Sequence, residues 1–192
     1  MAYDAIKFIH VLAVVFMSAP LYNLIVVNER VLFGKAPFAV DRYFENIIRG
    51  AASRCYIYQL TALVSGLLLL PLGGFGWSGL IENRILLAKF MLLLVLMVLL
   101  SIVHLRIQPG IEKLLSQVEG QEIPQEIAAR IVPLRITRKR LAASCLFIVI
   151  LTVLLGLQVI VRFGAGLTGL LIILAAVFSW RVYKSPVRFG WF

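Results

Sequence analysis

His10, Lys89 and Gln158 are the side chains with most chemistry to offer, because each interrupts a long apolar run of the sequence. Ionisable groups in such runs are costly inside a bilayer, and those present there commonly serve ligands, cofactors or ion paths. His10 is the candidate metal ligand, since one nitrogen of a neutral imidazole is free to coordinate. Lys89 and Gln158 join it as candidate cofactor contacts, and no catalytic residue stands out. Each also has a plainer role. His10 can act as hydrogen-bonded packing glue between helices, and Lys89 can extend its amine to the membrane interface.

Depth decides which of these groups can meet. The runs holding His10 and Lys89 both begin on one side of the membrane, near residues 5 and 84. At a rise of about 1.5 Å per residue, both side chains lie about 7.5 Å below that edge. Gln158 and Arg162, near the end of a run travelling the other way, reach a compatible level. His104 falls about 22 Å deeper than His10, which rules out a bis-histidine site within one chain. His104 and Arg106 read as headgroup contacts.

The elements that position these residues are membrane spans. Of 192 residues, 61% are hydrophobic and 15% charged, a composition well away from that of a soluble domain. Each span needs about 20 mostly apolar residues to cross about 30 Å of hydrocarbon. Five runs qualify, at about 5–27, 55–72, 85–103, 141–161 and 165–180. The first is too long for a signal-peptide core and reads as a retained span. Residues 28–54 and 104–140 are mixed in charge and carry Gly34, Gly50, Pro109, Gly110, Gly120, Pro124 and Pro133, so they read as extramembrane loops with short helical pieces. The whole is one all-α transmembrane bundle.

The net charge of +10 arises from residues flanking the spans. The first long loop holds Arg30, Lys35, Arg42, Arg49 and Arg54. The second holds Arg106, Lys113, Arg130, Arg135, Arg138, Lys139 and Arg140, and the tail adds Arg181, Lys184 and Arg188. Only Lys7, Arg84, Lys89 and Arg162 fall on or toward the opposite side. The positive-inside rule therefore places both loops and the C-terminus in the cytoplasm and the N-terminus outside, in an inner (plasma) membrane. No basic stretch is interleaved with stacking aromatics, which argues against nucleic acid. No Asp or Glu falls inside any of the five runs, which argues against a pump or antiporter.

Cys55 and Cys145 are the only cysteines. Without a CxxC or a histidine pair they indicate neither a zinc site nor a disulfide framework. Met1, Met17, Met91 and Met97 form no cluster along the sequence, so a soft-metal site is not indicated either.

The segment Ile6-Lys7-Phe8-Ile9-His10-Val11-Leu12-Ala13 resembles the first helix of the HemJ-type protoporphyrinogen oxidases and, more loosely, that of the CopD-like copper-resistance membrane proteins. Arg84-Ile85-Leu86-Leu87-Ala88-Lys89 resembles the lysine-bearing third helix of the same group. The resemblance covers the first three runs. It implies a compact helical bundle in which His10 corresponds to a haem-linked histidine and Lys89 to an essential lysine. Met17 and Pro20 depart from the aromatic and glycine positions of that first helix, and the fifth run exceeds the family plan.

The reading that follows is a non-transporting accessory or assembly subunit in the bilayer, in contact with other membrane subunits or copies of itself, with a b-type haem at His10. The alternative is a haem-dependent oxidoreductase acting on a membrane-soluble tetrapyrrole.

Overall fold

The computed structural model describes residues 1–32 and 37–184, with the side chains of 22–24 and 26–32 not among those described. Arg30, Lys35 and Arg188 of the charge count, and the breaker Gly34, lie outside the described side chains. Among the described residues all regular structure is helical. The elements are α1 (Ala2–Leu32), α2 (Phe38–Leu72), a single turn α3 (Gly79–Glu82), α4 (Arg84–Ile102), a π-helical turn (Val103–Ile107), α5 (Gln108–Leu115), α6 (Gln125–Ile160) and α7 (Ala165–Lys184). Five of these stretches are long and apolar enough to cross a membrane, as the composition implies.

Helix boundaries differ from the expected spans on the charged side. Residues 28–54 were expected as loop, but α2 begins at Phe38 and continues unbroken to Leu72. Within 104–140 only residues 116–124 separate α5 from α6, and α6 runs from Gln125 to Ile160 through Pro133. The physical reason lies in the spacing of the buried positions. In α2 they fall at Asp41, Glu45, Ile48, Ala52, Cys55, Gln59 and Ala62, alternating steps of four and three. In α6 the same alternation carries Ile131, Arg135, Arg138, Ala142, Cys145, Val149 and Thr152. Such a stripe holds one face of a helix against its neighbours whether its members are apolar or charged. Each helix is therefore about 53 Å long and outreaches the hydrocarbon by about 20 Å.

α1, α2, α4 and α6 surround a common axis. α1 packs along α2 and α6, and α4 packs along α6 and, more narrowly, α2, so that α2 faces α6 across the axis. α7 lies chiefly against α6, and its outward side chains, among them Ile173, Leu174 and Val177, are exposed, as a lipid-facing helix requires. The connection from α2 to α4 is specified locally. Gly74 and Gly76 adopt φ of 80° and 63° after α2, a region that favours glycine. Asn83 then starts α4, its Oδ1 accepting from the Ile85 and Leu86 amides at 3.0 and 3.3 Å, which satisfies donors left over at a helix start.

Candidate functional site

Each of the four axial helices contributes one residue to a layer near the end of the bundle where α1 and α4 begin. His10 on α1 faces Gly66 on α2, where a Cβ would come within 3.1 Å of the imidazole Cε1. Lys89 on α4 faces Gly156 on α6, where a Cβ would lie 3.3 Å from Nζ. The imidazole and the ammonium are within electrostatic reach of each other. Two long polar side chains and two glycines thus share a level, the missing side chains making room for the large ones, as close packing demands.

His10 Nδ1 lies 3.0 Å from Ser65 Oγ. The Ser65 hydroxyl also lies within hydrogen-bond reach of the Thr61 and Ala62 carbonyls. The Ala62 carbonyl is a further hydrogen-bond partner of the His10 ring. A histidine that ligates a metal through one nitrogen is commonly oriented in this way by a partner on the other.

Gln158 does not join this layer. It lies two residues past Gly156, turned to another side of α6, and its Nε2 donates to Thr168 Oγ1 on α7 at 2.7 Å. Its role is to fasten the last two helices. Arg162 is exposed beyond the end of α6. His104 is half-buried in the π-helical turn, edge-on to the Tyr56 ring at 5.7 Å, far along α4 from Lys89.

The charged end holds a site that treating residues 28–54 and 104–140 as loops conceals. Arg138 is wholly shielded from solvent. Its Nη1 and Nη2 donate to Glu45 Oε2 and Oε1 at 2.6 and 3.0 Å, and Nη1 also donates to Gln108 Oε1 at 2.8 Å. Arg135 donates through Nε to Glu45 Oε1 at 3.1 Å and through Nη2 to Asp41 Oδ2 at 2.7 Å. Gln108 Nε2 returns to Glu45 Oε2 at 3.1 Å. Two carboxylates and two guanidinium groups balance in charge, which is the condition under which burial is tolerable. The π-helical turn resets the phase of α4 so that the buried positions pass from Val103 and Ile107 to Gln108 and Ile111, bringing the amide onto the axis. The signal for this cluster was present in the sequence: Asp41 and Glu45 at i,i+4, and Arg135 and Arg138 at i,i+3, each on one helical face.

Glu45 and Gly66 are separated by about 31 Å along α2, and Arg138 and Gly156 by about 27 Å along α6. The two polar stations therefore sit about one hydrocarbon thickness apart. The ion network binds helices together through paired charges, whereas the His10–Lys89 layer brings an imidazole and a lysine amine together. Among the described residues no three His, Cys, Asp or Glu side chains gather as a metal site, so a metal at His10 would need its remaining ligands from a cofactor.

Comparison of the chain with protein-family descriptions, with curated proteins and with solved structures yields no match.

Proposed function

We propose that this chain is an accessory subunit of a larger membrane complex that carries a b-type haem at its His10–Lys89 layer. The observation that carries the reading is the His10 ring, held through Nδ1 by Ser65, within electrostatic reach of Lys89 at the same level. Haem chemistry calls for both: a neutral imidazole for the iron and a cation for the acidic propionates. His10 would supply the axial ligand and Lys89 the charge partner, while the apolar side chains around them exclude water. Bound there, haem would supply one-electron chemistry. The positive-inside distribution of Lys and Arg supports a layer near the periplasmic face of the inner membrane, with the N-terminus outside. The mostly outward-facing surface of α7 suits lateral contact with other subunits. The absence of carboxylates from the apolar runs argues against an ion pump.

The test is an absorption spectrum of the protein purified in mild detergent, before and after addition of haem. A Soret band that is lost in His10→Ala and altered in Lys89→Ala is expected. A colourless protein that takes up no haem would overturn the cofactor, and a chain that purifies without companions would overturn the subunit role. The closeness of Lys89 to His10 also favours a second reading, a haem-dependent oxidoreductase acting on a tetrapyrrole. Turnover of a porphyrinogen by the purified chain alone would select it.

A further inference from the structure

Between the ion network and the His10–Lys89 layer, the axis of the bundle holds a cavity of about 20 Å³. One heptad in from the polar layer, its wall receives Met17 of α1 and Gln59 of α2; half a heptad further it receives Cys55 of α2 and Cys145 of α6. All other side chains lining it are aliphatic. Met17, Cys55, Gln59 and Cys145 are exposed by only 1, 2, 2 and 5%, and both cysteines are free thiols. Three helices, α1, α2 and α6, thus bring two thiols, a thioether and a carboxamide to one small space in an otherwise apolar core.

Gln59 is the second, independent sign of a guest. Its Nε2 donates to Cys55 Sγ at 3.8 Å, while its Oε1 is buried without a hydrogen-bond partner. An unpaired amide oxygen in a dry core is costly. The cavity has room for about one water, but a buried water needs two to four polar partners, and sulfur atoms are weak ones. Two thiols and a thioether instead match what soft cations such as copper(I) select.

We propose that this cavity is a binding site for a single soft monovalent metal ion of the copper(I) class, held by Cys55, Cys145 and Met17. The apolar surroundings favour a set of ligands with no net charge. On binding, the Cys55 S–H bond breaks and a Cys55 S–metal bond forms, and the proton leaves to the aqueous buffer from which the ion came. One thiolate then balances the single positive charge. The Gln59 N–H stabilises that thiolate, the Cys145 thiol and Met17 thioether are neutral donors, and Gln59 Oε1 accepts the retained Cys145 S–H. No electron is transferred. The site is separate from the His10 level by about 10 Å along α1 and stands whether or not haem binds there.

The test uses the full chain, reduced, in detergent and without oxygen, titrated with copper(I) against a chromogenic copper(I) chelator, with silver(I) as a probe that does not change oxidation state. Expected are one ion retained per chain, one proton released per ion, and protection of both thiols from alkylation. Cys55→Ser and Cys145→Ser lose the ion. Met17→Leu and Gln59→Leu, which keep an apolar core, weaken retention by about 10- to 100-fold. Failure of the wild-type chain to hold either ion overturns the proposal. So does retention undiminished in Met17→Leu and in the double cysteine variant, or the recovery of Cys55 and Cys145 joined as a disulfide in protein purified without reductant.

Discussion

Arg138 grips Glu45 with both ends of its guanidinium fork, at 2.6 and 3.0 Å, from a position with no solvent contact. The pair spans the diagonal of the bundle, from α6 to α2, beside the Arg135–Asp41 pair that joins the same two helices. Its geometry is bidentate, the stronger form of carboxylate recognition, and Arg135, Asp41 and Gln108 fill the remaining bonds. The network is therefore a clasp that sets the register of the two longest helices.

Breaking one side of that clasp should cost far more than removing both. Arg138→Leu leaves Glu45 buried with its charge reduced in compensation, and a loss of about 3–5 kcal/mol is expected. Glu45→Leu combined with Arg138→Leu should lose clearly less than the sum of the single changes. Thermal unfolding in detergent, followed by circular dichroism, measures both. Additive losses would mean that the two side chains do not act as a pair.

The glycines opposite His10 and Lys89 should respond differently to the same added methyl group. At Gly66 a Cβ meets the imidazole ring at 3.1 Å, and the ring is held by Ser65, so Gly66→Ala forces a rearrangement costing about 1–3 kcal/mol. At Gly156 the nearest atom is the tip of a flexible lysine at 3.3 Å, which can swing aside. Gly156→Ala should therefore stay within about 1 kcal/mol of the parent, with some gain from the better helix former. Equal losses at the two positions would contradict the layer.

How far this arrangement could be read without coordinates depends on which property of a residue was used. The apolar runs gave five spans because hydrocarbon burial needs nothing but length and hydropathy, and His10 and Lys89 shared a level because helical rise is fixed. Gln158 was grouped with them on level alone. Rotation about the axis separates it, since two residues past Gly156 turn it to Thr168. Asp41, Glu45, Arg135 and Arg138 fall in segments that read as loops, because charge ordinarily signals water. Their four-and-three spacing continues through Cys55 and Cys145 into the apolar runs, and that continuity was the signal for unbroken helices. Met17, Cys55 and Cys145 are far apart along the chain, and only the packing of α1, α2 and α6 brings them to one cavity.

The start of α4 supplies a local test. Asn83 Oδ1 accepts from two backbone amides that have no partner within the helix. Asn83→Ala should cost about 1 kcal/mol, and Asn83→Asp should restore it. Unfolding midpoints of the two variants decide this, and an alanine variant as stable as the parent would show that the cap contributes nothing.

Topology in the cell can be checked through the two stations together. If the side bearing Arg42, Arg49, Lys113 and Arg130 faces the cytoplasm, a single reporter cysteine at Ser116, in a background with Cys55 and Cys145 replaced, should be shielded from an impermeant maleimide added to intact cells. A reporter at Ser78, beside the exposed Trp77, should react at once. Both positions are connecting segments between helices, so differences in reactivity report sidedness and not burial within the bundle. The ion network lies about 30 Å from the His10–Lys89 layer, so the same labelling fixes which compartment each station faces. The reverse pattern would move the His10–Lys89 layer to the cytoplasmic face and remove the charge distribution as a guide to orientation, while leaving the layer itself intact.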